Sequence, residues 1–223
     1  KQCRGKIATS VALLSVFCFM SIASAAPIDW FESDGANERF GWYEGQSDDA
    51  GLGGAEGLWG QPTDSAIGFS FDDMRSEFEA VGSAGSPGTI QSAVQVGFDV
   101  SAATMPDQEP LSELIVIEYG TFTGDVSAVM ATSGTVHVFS MDPFRPPTNL
   151  GQVDVTFDTD AMTWEARVEF DLVAEFGAPL ANFTVTVNNT LVANPDEGDA
   201  SIRKTGGRIY TPEPASLGLV VLG

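Results

Sequence analysis

The sequence predicts an all-β protein, a single β-sandwich of jelly-roll type. Three observations predict it. Apolar and polar residues alternate with a period of two almost wherever the chain is periodic. Clusters of Gly, Pro, Asn and Asp separate the alternating runs. Helical periodicity is scarce, and 24 glycines and 12 prolines in 223 residues suit many turns between short strands. About eight to ten short strands fit a sandwich, with a barrel as the alternative. No repeat of 20–50 residues is present.

The first element is not part of that domain. "KQCRGKIATSVALLSVFCFMSIASA", residues 1–25, has the three parts of a secretory signal. Lys1, Arg4 and Lys6 form a positive start, and no initiator Met precedes them, so the chain is expected to be trimmed at the front. Val11 to Met20 is an apolar stretch too short for a membrane span. Ala23-Ser24-Ala25 puts small side chains where signal peptidase needs them, so cleavage is expected after Ala25. Both cysteines, Cys3 and Cys18, lie in this segment. The mature chain therefore has no disulfide and no thiol chemistry.

The predicted domain, residues 26–210, follows. "RFGWYEG" and "IGFSFD" are short strands. "DDMRSEFEAV" reads as a turn or two of helix or, equally, as a strand. "TIQSAVQVGFDV", "LSELIVIEY" and "GTVHVFSM" are strands rich in β-branched residues. "GQVDVTFDTD" and "TWEARVEFDL" form a hairpin across "DTDAMTW". In the second arm Trp164, Ala166, Val168 and Phe170 face inward and Glu165, Arg167 and Glu169 outward. "DLVAEFGA" allows a short helix. "NFTVTVNNTL" turns Phe183, Val185 and Val187 inward and Thr184, Thr186 and Asn188 outward. Turns are expected at 82–88, 106–110, 143–147 and 196–198.

Formal net charge is −21, and no acid precedes Asp29, so the domain is more acidic than the whole. Such a surface repels nucleic acid and anionic membranes. It suits solubility, cations or basic partners. The hydrophobic share of 43% allows a full core.

Chemistry-bearing patterns are sparse. His137 is the only histidine and lies in an alternating strand, which excludes a His-rich zinc site. No Gly-x-Ser-x-Gly elbow accompanies it. Glu165 and Glu169 share a strand face but are about 13 Å apart by strand rise, too far for a retaining glycosidase pair. No catalytic site is expected. Calcium, which needs six to eight oxygens, is the one cofactor the acidic loops suit. Asn194, Asp196, Glu197, Asp199 and Ser201 around Gly198 form the better loop, and Ser47, Asp48, Asp49 and Glu56 a second. Neither is an EF-hand, and a solvated turn is the plainer reading. Trp42, Tyr43 and Trp59 flank a glycine-rich loop. They would stack on sugar if exposed, but closing the end of the sandwich is the plainer reading.

The last element is "TPEPASLGLVVLG", residues 211–223. Pro212 and Pro214 keep it extended, and the aliphatic run from Leu217 begins a helix suited to a membrane. Pro212, Glu213, Pro214 and Ala215 before such a run resemble the start of a PEP-CTERM sorting signal. That signal implies transient membrane anchoring through the C-terminal helix and processing by an exosortase after signal peptidase has acted. The rest of the helix and the basic cluster of that signal are absent here, so the signal is expected to be incomplete. "WYEGQSDDAGLGGAEGLWGQPTDSAIGFSF" resembles the N-terminal region of planctomycete-type PEP-CTERM proteins. "VTVNNTLVANPDEGDASIRKTGGRIYTPEP" resembles their last strands, with an Asn-Asn-Thr-Leu segment and an Ile-x-Lys strand. The resemblance implies an exported protein of a Gram-negative bacterium, sorted to the outer envelope, cell surface or extracellular matrix. It implies no activity. A carbohydrate-binding module is the alternative, with extracellular polysaccharide as partner.

Overall fold

The computed structural model describes residues 26–27, 34–47, 58–65, 68–71, 74–140, 148–149 and 155–212. In chain order the strands are β1 (Ala26–Pro27), β2 (Asp34–Ala36), β3 (Gly41–Ser47), β4 (Thr63–Ser65), β5 (Gly68–Phe71), β6 (Glu79–Ser83), β7 (Gly88–Asp99), β8 (Glu113–Thr123), β9 (Val129–Ser140), β10 (Thr148–Asn149), β11 (Val155–Asp158), β12 (Thr163–Asp171), β13 (Asn182–Ala193) and β14 (Asp199–Tyr210). One short helix, α1 (Leu172–Phe176), follows β12.

The strands form two antiparallel sheets packed face to face, an all-β sandwich as predicted. The first runs β1-β3-β7-β13-β9-β10, with β2 on β3. The second runs β11-β12-β8-β14-β5-β4, with β6 on β14. Successive long strands swap sheets: β6-β14-β8-β12 faces β7-β13-β9-β10. This is the double-sheet jelly-roll order.

Local sequence explains the elements. In β12 Trp164, Ala166 and Phe170 are buried and Glu165, Arg167 and Glu169 exposed. β11 and β12 form the expected hairpin, with Val155 opposite Ala166 and Asp158 opposite Thr163. "DDMRSEFEAV" resolves toward strand: Phe78 N–H donates to the Arg75 carbonyl at 3.1 Å, closing a turn, and β6 follows. Asp171 caps α1 by accepting from Ala174 N–H at 2.9 Å. Gly177 ends it in the left-handed region at φ 75°.

The core lies between the sheets and is strongly aromatic. Phe98 stacks on Phe183 with centroids 5.4 Å apart, joining β7 to β13. Trp59 meets Phe71 at 5.2 Å and Phe78 at 5.5 Å edge to face. Each buried Phe contributes about 1.5–3 kcal/mol by leaving water, and the larger Trp more.

Candidate functional site

A polar cluster sits inside this apolar core. On β8 the inward positions are Leu114, Val116, Glu118 and Phe122, so alternation carries a glutamate into the interior. On β13 the inward series Phe183, Val185, Val187 and Leu191 includes Asn189. On β14 the series Ala200 and Ile202 leads to Lys204. β8 and β14 are neighbours in one sheet, and β13 lies in the facing sheet. Both β13 and β14 shift register beside the cluster. β13 shifts against β9 between Val187 and Asn189, and β14 shifts against β8 between Lys204 and Gly206. Such bulges re-aim side chains locally.

The three side chains close on one another. Lys204 Nζ donates to Glu118 Oε1 and to Asn189 Oδ1 at 3.0 Å. Asn189 Nδ2 donates to the same Glu118 Oε1 at 2.8 Å. Lys204 is 0% exposed, and Glu118 and Asn189 are each 3% exposed, so bulk water does not reach them. Glu118 Oε2 is buried and has no hydrogen-bond partner among the described residues. The Trp59 ring lies 4.0 Å from Nζ and the Phe78 ring 5.7 Å. Trp59 is itself held by its indole N–H, which donates to Ser92 Oγ at 2.7 Å.

Burial pushes the Lys204 ammonium well below the usual lysine range; the charge of Glu118 and its hydrogen bond oppose that shift. A buried ion pair of this kind is often no more stabilising than apolar residues of similar volume. Lys204 is also the only lysine after Lys6. A buried amine, a carboxyl in contact with it and an amide carbonyl are together a nucleophile, an acid–base group and an electrophile.

The residues expected from sequence lie elsewhere or play other parts. Trp42 and Trp59 are 2% and 1% exposed. Trp42 packs on Phe69 at 5.1 Å and donates to Asp64 Oδ1 at 2.8 Å. Neither indole has an open face: both fill the core, the plainer of the two sequence expectations, and the sugar-stacking alternative does not fit Trp42 or Trp59. Tyr43 is half-buried on the outer face of β3, and its hydroxyl donates to Asn182 Oδ1 at 2.9 Å. Asn194, Asp196 and Glu197 lie on the exposed turn between β13 and β14, and Asp199 opens β14. The Gly198 carbonyl on that turn accepts Ala84 N–H at 2.9 Å. Among the described residues no three His, Cys, Asp or Glu side chains converge as a metal site. In the backbone register His137 pairs with Thr186 of β13 and with Asn149 of β10. Pro212 follows the last strand and is half-buried. Ala23, Ala25, Glu213, Pro214, Ala215, Asp48, Asp49, Glu56 and the expected C-terminal helix lie outside the described residues. No described helix is long and apolar enough to cross a membrane.

Sequence reasoning missed Glu118, Asn189 and Lys204, although a signal for Asn189 was present. Extending the inward parity of "NFTVTVNNTL" by one step beyond Val187 lands on Asn189. On β8 the run 114–117 is apolar at every position, so parity alone does not aim Glu118 inward. A charged or amide side chain at an inward position of an alternating strand must find a buried partner.

A shallow depression on the outside of the second sheet has a volume of about 420 Å³. Asp64, Ser70, Ile117, Arg208 and Tyr210 line it.

No protein-family model matches this chain, and no curated protein matches it. Among solved structures the chain is similar to Eiger TNF from S. frugiperda, at 12% identity and a TM-score of 0.25, over 67% of this chain and 96% of that one. That likeness is too slight to bear on fold or function.

Proposed function

We propose that this chain is an exported structural protein of the cell surface or extracellular matrix, delivered through a PEP-CTERM route and not itself an enzyme. One observation carries the reading. β14, a central core strand, ends at Tyr210, and Pro212-Glu213-Pro214 follows directly. A rigid sandwich thus stands immediately ahead of the segment an exosortase would read. The net charge of −21 supports a soluble, extracellular domain. Extracellular polysaccharide remains the partner class such a role implies. With Trp42 and Trp59 in the core, a glycan would meet the depression beside Tyr210 and Arg208 instead.

The test is to replace Pro212, Glu213 and Pro214 by Ala in the full chain, expressed in a host that carries an exosortase. The variant is expected to stay unprocessed in the membrane fraction. Delivery of processed variant to the cell surface at the wild-type level would refute the sorting reading. Turnover of a polysaccharide or ester by the purified domain would refute the non-enzymatic part.

A further inference from the structure

We infer that Lys204 and Asn189 join in an amide bond inside the folded protein, with Glu118 as the catalytic residue, so that a covalent link ties the two sheets together. The link would connect β14 of one sheet to β13 of the other.

The geometry brings the reacting groups together. Nζ lies 3.0 Å from Asn189 Oδ1. The amide carbon is one C=O bond beyond Oδ1, about 1.23 Å, so it lies within about 4.2 Å of Nζ. Small side-chain adjustments bring this to attack distance, about 3–3.5 Å. Glu118 Oε1 contacts both partners, the nucleophile at Nζ and the leaving group at Nδ2. Its buried Oε2 has no partner among the described residues and is a place for a transferred proton. The exclusion of water keeps hydrolysis from competing.

The step balances without any further reagent. The Lys204 ammonium passes a proton to the Glu118 carboxylate, leaving a neutral amine. The Nζ lone pair attacks Cγ of Asn189 while the Glu118 carboxyl donates to Oδ1. The tetrahedral intermediate collapses as Glu118 moves a proton from Nζ to Nδ2. The Cγ–Nδ2 bond breaks and a Cγ–Nζ bond remains. As the C=O reforms, the proton on Oδ1 passes through Glu118 to the departing ammonia, which leaves as ammonium, and Glu118 returns to carboxylate. No electron is transferred and no water is consumed.

Two further facts fit. The domain contains no cysteine, so it cannot use a disulfide as a staple outside the cell. Its one lysine is fully buried against an asparagine and a glutamate, where a plain ion pair gains little.

Intact-mass measurement of the purified, folded full chain, denatured just before injection, tests this. The expected mass is lower than the sequence mass by one ammonia. Tandem mass spectrometry of a tryptic digest should then show one branched peptide joining Asn189 to Lys204, with no cleavage after Lys204. An amine-specific reagent added to the unfolded chain should leave Lys204 unlabelled. Glu118→Gln, which keeps the shape but cannot take the proton, should restore the sequence mass and the cleavage. Three results would each overturn the proposal. One is a folded wild-type chain at full sequence mass with Lys204 labelled after unfolding. Another is ammonia loss without the branched peptide, which marks a succinimide at an asparagine. The third is a Glu118→Gln protein that still carries the link. The wild-type mass and digest decide the matter even if the variant does not fold.

Discussion

Replacing Trp59 by Ala separates a core tryptophan from a surface one more sharply than any other single change. The ring is 1% exposed, meets Phe71 and Phe78 edge to face, covers Lys204 Nζ at 4.0 Å and donates to Ser92. A buried tryptophan removes roughly 150–250 Å² from water. At about 25 cal/mol per Å² that is roughly 4–6 kcal/mol. Aromatic-to-alanine changes in cores cost about 3–5 kcal/mol, in line with that figure. We expect a loss of about 4 kcal/mol, a large part of the 5–15 kcal/mol typical of a domain. For a domain of this size that lowers Tm by about 8–16 °C. The assay is guanidinium unfolding followed by far-UV circular dichroism, which does not depend on the deleted indole. A surface tryptophan would change stability by no more than about 0.5 kcal/mol. A loss below about 1 kcal/mol with an unchanged m-value would show that Trp59 does not fill the core.

Three further outcomes are expected. Gly120→Ala places a Cβ 2.0 Å from the Arg203 carbonyl oxygen and 2.5 Å from the Trp164 indole nitrogen; backbone cannot yield cheaply, so thermal melting should show a loss at the upper end of the usual 1–3 kcal/mol for overpacking, about 3 kcal/mol. Asp196 and Glu197 lie exposed on the turn before β14, so Asp196→Asn with Glu197→Gln should change stability by no more than about 0.5 kcal/mol; a larger loss, seen in millimolar calcium and abolished by EDTA, would show a cation held on that turn. In Asn189→Ala, which cannot form the amide bond, Lys204 stays titratable with a native pKa held below the ordinary lysine value by burial. The unfolded chain then binds more protons between the two values, so stability should increase as pH rises through that window; alkaline-side denaturation curves showing a flat or falling trend would contradict the burial of a charged amine.

Much of the fold was legible because a half-buried strand must alternate. The parity of β12 and of β13 as far as Val187 needs only neighbours two residues apart, and the β11–β12 hairpin needs only a short turn between matching runs. The short helix was legible from Asp171 and Gly177 at its ends. The segment before β6 was not, because its apolar residues fit either period until Phe78 had a core to enter. For Trp42 and Trp59 core packing was the plainer expectation, but a Trp beside a glycine-rich loop also suits a surface until the facing sheet is present.

The sequence by itself determined the secondary structure class, the absence of cysteine from the domain and the alternation of β12 and of β13 as far as Val187. Those follow from composition and from contacts between near neighbours. Only the tertiary structure decided that Glu118, Asn189 and Lys204 meet. Glu118 is separated from Asn189 by 71 residues and from Lys204 by 86. Sheet order, two register shifts and the packing of one sheet on the other bring them together. Parity says that a polar side chain points inward; it does not say what lies opposite.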